Sequence, residues 1–242
     1  ITDRYIEAYR DDMTALGVLT PDFEPRVTEH IPEIIVMVEQ LITLGHAYEV
    51  EGHVLFHVPS FSDYGALSGC NRDEMIAGAR VERAPFKQDV ADFVLWKPST
   101  PDLPGWESPW GRGRPGWHIE CVAMSLDLLG DGFDIHGGGD DLIFPHHENE
   151  RAEALGCGRE FAKYWIHNGM VQVDGEKMSK SLGNFTTLEA MLDHWDPRAL
   201  RLLILQTHYR HTMEIGADAL DGAVSALDRL DAFADRFRSA NL

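Results

Sequence analysis

Cysteine and long apolar runs are scarce in this chain of 242 residues. The three cysteines, Cys70, Cys121 and Cys157, are too few and too scattered for a disulfide framework, which favours a reducing cytoplasmic setting. No apolar run approaches the roughly 20 residues of a membrane helix, so we expect no membrane partner. The start shows no signal or transit pattern. Because a helical pattern begins at once at Ile1, we expect a piece of a longer chain.

Positive charge is also in short supply. The 21 Lys and Arg residues stand against 40 Asp and Glu residues, which gives a formal net charge of −19. Non-specific nucleic-acid binding depends on basic side chains that neutralise phosphates, so this balance argues against it and leaves room only for a local basic groove. The length is enough for one large domain or two small ones.

The apolar pattern predicts helices at both ends and an α/β arrangement between them. Thr28 is a candidate N-cap for a second helix ending near Gly45, and Glu51-Gly52 is a candidate hairpin turn. Residues 98–116, rich in Pro, Gly, Ser and Trp, predict a long loop and a domain boundary. Further predicted elements are helices at 2–15, 117–129, from about 145, 186–192, 196–206 and 217–240, and strands at 133–136 and 164–173. A capping box of Thr186 with Glu189 starts the helix at 186, and residues 137–139 predict a tight turn.

Three residues have the composition of a metal site. His146 and Glu150 are four apart, which on a helix places both side chains on one face. Cys121 would join them through a tertiary contact, and Zn²⁺ accepts sulfur, nitrogen and oxygen ligands with one position left open. The same spacing pairs His147 with Arg151, which cannot bind a metal. The alternative is that Cys121 is a small core residue and the His-Glu pair lies on a solvated helix.

Two further segments suggest phosphate handling. Gly138 lies in a glycine-rich stretch after a predicted strand, where backbone amides can approach a ligand closely. Asp141 could hold a ribose hydroxyl or merely cap a helix. A second segment, with Lys177, Ser179, Lys180 and Ser181, predicts a cationic loop that closes over a triphosphate, although a solvated basic loop is the commoner origin of such charge.

Several long strings resemble the class I aminoacyl-tRNA synthetases and, more narrowly, the cysteinyl-tRNA synthetase family. They lie at residues 113–121, 134–139, 141–142, 144–150 and 176–185, and the last contains the Lys-Met-Ser-Lys-Ser signature at 177–181. The resemblance implies the second half of a Rossmann-type nucleotide-binding domain with an inserted α+β connective region and a C-terminal helical segment. We therefore expect a connective region at 1–112, a catalytic half at 113–185 and a helical region at 186–242.

The resemblance also implies a site and a reaction. Cys121, His146 and Glu150 match three of four zinc ligands, and Trp117 and His136 match residues that line the amino-acid pocket. The implied substrates are L-cysteine, ATP with Mg²⁺, and tRNA(Cys). Cysteine would be activated to an adenylate with release of pyrophosphate and then transferred to the tRNA. We expect one zinc per chain and a monomer.

The chain departs from the family pattern at its start. The family's first zinc cysteine and its His-x-Gly-His-type motif are absent, so we expect the chain alone to be inactive. Two alternatives stay open. One is the related ligase that joins cysteine to glucosaminyl-inositol, which should lack the glutamate ligand matched by Glu150. The other is a non-catalytic zinc-binding paralogue.

Overall fold

The computed structural model describes residues 2–70, 85–173, 175–178 and 186–240. The chain divides into two compact units: a central unit of residues 24–167, and a flanking unit of residues 1–23 with 168–242. The first helix therefore groups with the C-terminal helices rather than with the rest of the predicted segment 1–112. The predicted segments 1–112, 113–185 and 186–242 stay a hypothesis about functional regions.

The central unit opens with a helix packed on an antiparallel sheet. Helix α2 spans Ile31–Thr43, and the four-stranded sheet has the order β1-β2-β3-β4, with strands Ala47–Val50, His53–Phe56, Phe93–Pro98 and Gly113–Pro115. The predicted cap is wrong, because Thr28 lies in a short 3₁₀ turn and His30 is the N-cap of α2. The predicted end of the helix is confirmed, since Leu44 is the C-cap and Gly45 follows with φ 81°.

The β1-β2 hairpin follows directly from its turn sequence. Glu51 and Gly52 have φ values of 51° and 74°, as a two-residue turn of type I′ requires. Gly52 adopts this conformation at no steric cost, and the strands pair in register from Val50 opposite His53 to Ala47 opposite Phe56. The predicted hairpin is thus confirmed.

The second half of the central unit carries the candidate site. It contains helix α3 (Trp117–Leu129), the paired strands β5 (Ile135–Gly139) and β6 (Tyr164–Asn168), and helix α4 (Glu148–Gly156). A 3₁₀ turn at Asp140–Leu142 and a wider turn at Ile143–His147 lead into α4. One continuous core joins both halves of the unit and includes Ile34, Leu41, Phe56, Trp96, Ile119 and Ala152. Each large apolar side chain buried here contributes roughly 1.5–3 kcal/mol to folding.

Two predictions for this unit are wrong. The stretch 98–116 is not a linker: β4 pairs with β3, and the Arg112 guanidinium donates to the carbonyls of Ser99, Thr100 and Leu103 at 2.8–3.1 Å. Residues 137–139 are not a tight turn either, because they continue strand β5. In both cases contacts between residues distant in sequence override the local preference of Gly and Pro for turns.

The flanking unit is built from helices and a small sheet. Helix α1 spans Thr2–Ala15, and α5, α6 and α7 span Leu188–Leu192, Pro197–Gln206 and Ala217–Ala240. Strand β7 (Val171–Val173) pairs antiparallel with β8 (Glu176–Lys177) and parallel with β9 (Met213–Glu214). The predicted 164–173 strand is therefore two strands. The N-cap of α5 is Thr187, whose Oγ1 accepts from the Ala190 amide at 3.2 Å, so the predicted cap at Thr186 is wrong by one residue.

Helices from the two ends of the chain meet in the flanking unit. Arg201 Nη1 donates to the carbonyls of Leu16 and Gly17, both at 2.8 Å. A small core of Met191, Leu200 and Leu220 joins the three C-terminal helices. None of the helices in the described ranges combines the length and the apolar character that crossing a membrane requires.

Candidate metal centre

Three residues that the sequence analysis singled out converge in the central unit. Cys121 lies on α3, His146 in the turn before α4, and Glu150 in the first turn of α4. The cysteine Sγ and one ligand atom each of His146 and Glu150 all lie within 4.8 Å of one another. His146 and Glu150 are buried, and Cys121 is partly buried. The tertiary contact expected for Cys121 is therefore present.

The Glu150 carboxylate lies between two histidines. Its Oε2 lies 2.8 Å from Nε2 of His136 in a hydrogen bond. Its Oε1 lies 2.9 Å from Nε2 of His146. A buried carboxylate retains its charge only beside donors or a cation. The two imidazoles therefore stabilise a negative charge in the protein interior, close to the Cys121 thiol.

The ionisation of these groups depends on one another. Burial would raise the pKa of Glu150, but hydrogen bonds and charge from His136 and His146 outweigh it and lower that pKa to about 2. Burial, followed by the negative charge and a hydrogen bond of Glu150, raises the pKa of the Cys121 thiol to about 12. Cys121 therefore stays a thiol in the metal-free chain. A bound cation would favour the thiolate, since metal binding releases the proton.

This donor set fits zinc. One sulfur, one imidazole nitrogen and one carboxylate oxygen are ligands that Zn²⁺ accepts together, and three protein ligands leave one position open. The lowered pKa of Glu150 keeps a negative charge beside Cys121 and His146, which supports a cation at this point. Cys121, His146 and Glu150 are the residues that would hold it.

His118, which was not predicted to have a role, contacts the Nδ1 side of the His146 ring. The Nδ1 atoms of the two imidazoles lie 2.7 Å apart, so one ring donates and the other accepts. This contact leaves Nε2 of His146 facing Glu150, in the way that an outer partner orients a metal-binding histidine. Burial lowers the pKa of His118 to about 4. Its spacing of three from Cys121 on α3 is the sequence signal that could have found it.

A second group shares the same carboxylate. Ligand atoms of His136, His147 and Glu150 also lie within 4.8 Å of one another. Nδ1 of His147 lies 2.8 Å from Nε2 of His167, and burial lowers the pKa of His147 to about 4. In the sequence, the spacing of four pairs His147 only with Arg151, which cannot bind a metal. This second group could not be predicted, because β5 and β6 bring His136 and His167 to His147 through tertiary contacts.

The two predicted pocket residues flank the metal-ligand group. The indole of Trp117 is 59% exposed and stacks on the His146 ring with centroids 4.2 Å apart. His136 contacts Glu150 directly, and its ring packs edge-on against that of Trp165 at 5.0 Å. An exposed aromatic face therefore lies beside a buried polar cluster, as in many small-molecule sites.

The predicted nucleotide-handling residues are described only in part. A Cβ on Gly138 would come within 2.8 Å of Leu142 Cδ1 and 2.9 Å of His147 Cε1, so any larger residue there requires these two side chains to shift. Asp141 lies in the 3₁₀ turn after β5. Lys177 ends β8. The other predicted loop residues, Ser179, Lys180 and Ser181, lie outside the described residues.

A groove in the central unit lies away from this cluster. It has a volume of about 380 Å³ and runs between α2 and α3, where it is lined by Val36, Met37, Ala123, Leu126 and Arg159 among others. No predicted site residue lines it. The chemistry of the buried ligand group is therefore a better guide to function than the size of this groove.

Solved structures with this fold are class I aminoacyl-tRNA synthetases. Mycobacterium tuberculosis methionyl-tRNA synthetase in complex with methionyl-adenylate superposes with a TM-score of 0.64 at 16% identity, covering 92% of this chain and 54% of that one. The apo form of the same enzyme gives 0.60 at 14% identity, covering 90% and 53%. At this identity the likeness establishes the α/β fold of the class and nothing finer.

The sequence comparisons identify the family within class I to which the chain belongs. Residues 1–225 match the family model described as tRNA synthetases class I (C) catalytic domain, and the chain belongs to this family. It is 60% identical over 232 residues to the cysteine–tRNA ligase of Rhodospirillum rubrum and 58% identical over 232 residues to that of Gluconobacter oxydans. These alignments cover 95% of this chain but 50% and 51% of those proteins, so the chain spans about half the length of the relatives it matches. The resemblance seen in the sequence is confirmed.

Proposed function

We propose that the chain acts within a cysteine–tRNA ligase that activates L-cysteine with ATP, releases pyrophosphate and transfers cysteine to tRNA(Cys). The observation that carries this proposal is the convergence of Cys121, His146 and the buried Glu150, whose carboxylate contacts His136 and His146. The relatives named above support it, since both are called cysteine–tRNA ligases. This name favours neither the amino-sugar ligase nor a non-catalytic paralogue.

The metal would provide the selection for cysteine. When bound, zinc supplies a soft Lewis-acid position that accepts a thiolate far better than a serine hydroxyl. Cys121, His146 and Glu150 hold the ion and leave one position for substrate or for a ligand from another part of the protein. Trp117 and His136 border the position that the substrate side chain would occupy.

The nucleotide would be handled by the remaining predicted residues. Lys177, Ser179, Lys180 and Ser181 form the cationic loop that stabilises charge developing on the leaving pyrophosphate, with Mg²⁺ on the phosphates. The Gly138 backbone approaches ATP, and the Asp141 carboxylate accepts from the ribose. No covalent enzyme nucleophile is needed, because the reaction depends on positioning and charge stabilisation. We infer a cytoplasmic monomer for this function.

Binding of cobalt tests the metal site on the chain itself. Co²⁺ takes the same ligands as zinc and shows a thiolate charge-transfer band in the near ultraviolet. We expect one Co²⁺ per chain, and a loss of affinity of roughly 100-fold or more in Cys121→Ser, since a ligand contributes at least as much as its outer partners. Cys70→Ser is the matched control, because Cys70 belongs to no ligand group among the described residues. Equal binding by the two variants would contradict the assignment.

The cobalt-loaded chain also tests the substrate. L-cysteine should shift the cobalt spectrum by adding a second thiolate, whereas L-serine at the same concentration should leave it unchanged. A shift with both amino acids, or with neither, would argue against cysteine recognition at this centre. We expect no cysteine-dependent exchange of pyrophosphate into ATP by the 242-residue chain alone.

A further inference from the structure

A second glutamate on α4 has a role that neither the metal site nor the nucleotide site explains. Glu148 is fully buried, and its carboxylate accepts from the backbone amides of Gly65 at 2.9 Å, Leu67 at 3.1 Å and Ser68 at 2.7 Å. Three amides converging on one carboxylate form an anion-binding concavity in the loop. The loop therefore depends on this side chain for its conformation.

Two neighbours of Glu148 hold the same loop. The Tyr64 hydroxyl donates to Oδ1 of Asn149 in a short hydrogen bond. Arg151 donates from Nη1 to the Asp63 carbonyl at 3.1 Å and from Nη2 to the Asp63 carboxylate. Residues 63–68, which we call the anchored segment, are thus tied to three positions within one turn of α4. These partners are at least 80 residues apart in sequence.

The turn of α4 that holds the segment also carries metal ligands. Glu148 lies two residues after His146 and two before Glu150. Residues two apart on a helix point to nearly opposite sides, so the ligands face the metal position and Glu148 faces the segment. The orientation of this turn is consequently fixed from both sides. A rotation of this turn that shortens the contacts of Glu148 with the anchored segment would move His146 and Glu150 away from the metal position.

We propose that Glu148 is a positioning residue that couples metal binding at Cys121, His146 and Glu150 to the order of the anchored segment. The coupling rests on the proposed function, because it requires a metal at that centre. It is reciprocal by thermodynamic linkage: if the segment holds the helix in its metal-binding orientation, the metal stabilises the segment by the same factor. A purely structural role for Glu148 predicts no such link.

Hydrogen exchange on the unmodified chain tests the link first. The amides of Gly65, Leu67 and Ser68 should exchange about tenfold more slowly with saturating Zn²⁺ than in chelator, a modest coupling. The reference amides are those of the β1-β2 hairpin, which lies outside both the anchored segment and the first turn of α4. If zinc binds but amide exchange in the anchored segment does not slow, the proposal is overturned. This test needs no variant, so it holds even if every variant fails to fold.

Glu148→Gln tests the residue itself. Glutamine keeps the shape and one acceptor oxygen but loses the charge, and its NH₂ group faces a backbone N–H donor from which it cannot accept. We expect about tenfold weaker Zn²⁺ binding by chelator competition and loss of the zinc-dependent protection at residues 65–68. Asp131→Asn is the control, since it breaks an exposed ion pair with Arg159 in the same unit and should leave zinc affinity unchanged.

The outcomes separate the two proposals. If the unmodified chain binds zinc and Glu148→Gln binds it equally well, while only the thermal midpoint of the metal-free variant falls, Glu148 is structural and the coupling is overturned. The proposed metal site then stands. If the unmodified chain binds no zinc, the metal site itself fails and the coupling falls with it.

Discussion

The stability of the metal-free chain should depend on the charge of Glu150 in a specific range of pH. Hydrogen bonds and charge from His136 and His146 overcome the effect of burial and lower the pKa of Glu150 from 4.5 to about 2. Since each pKa unit corresponds to about 1.4 kcal/mol, the ionised carboxylate contributes about 3 kcal/mol to folding. The folded-state pKa is the lower one, so the contribution is complete above pH 4.5 and is lost as pH falls towards 2.

The measurement compares the unmodified chain with Glu150→Gln in chelator. Denaturant unfolding at neutral pH should show the variant less stable by about 3 kcal/mol, and the gap should close progressively below pH 4.5. Taking the difference between two chains cancels the titration of the other carboxylates and histidines. The result that refutes the reasoning is a gap of constant size from pH 7 to pH 3. Such a gap would mean that Glu150 acts through packing rather than charge.

Three further predictions concern other positions. Burial, and then the charge of Glu150, raise the pKa of Glu153 well above 4.5, so this acid costs stability at neutral pH. Glu153→Gln should raise the thermal midpoint at pH 7 but not at pH 4, and an equal effect at both would contradict this. Gly116→Ala would place a Cβ 1.8 Å from the Val94 carbonyl oxygen and should cost about 3 kcal/mol or more of unfolding free energy. Gly222→Ala, in open space on α7, should instead stabilise by roughly 0.5–1 kcal/mol, and calorimetry distinguishes the two.

Elements with strong local signals were predicted correctly from the sequence. The end helices at 2–15 and 217–240, the helix at 117–129 and the Glu51-Gly52 hairpin match the structure, because a periodic apolar face or a turn residue decides them locally. Elements decided by distant contacts were not. Strand β4 lies in a stretch whose composition favours a loop, and it exists because β3 supplies its hydrogen-bond partners.

The residues of the candidate site also divide into those that local sequence predicts and those that only distant contacts bring together. Spacing on one helix face predicted His146 with Glu150, and the ligand chemistry of a thiol added Cys121, which the family strings then supported. The outer histidines could not be found by spacing alone. His167 reaches His147 only because β6 pairs with β5, a contact that no local pattern encodes. Sequence reasoning therefore finds candidate ligands that lie close together in the chain and misses partners that the pairing of β5 and β6 brings in.

Helix α4 carries three fully buried glutamates, and the protein accommodates each in a different way. Glu148 accepts hydrogen bonds from three loop amides, and Glu150 keeps its charge because histidines lie against it. Glu153 has no hydrogen-bond partner on either oxygen among the described residues, and its raised pKa means that it is buried as the neutral acid. A buried carboxylate needs donors or a cation, and without them it takes up a proton. Of the three, only Glu150 combines a lowered pKa with a position within 4.8 Å of a thiol sulfur and an imidazole nitrogen, and these are the properties that a metal ligand requires.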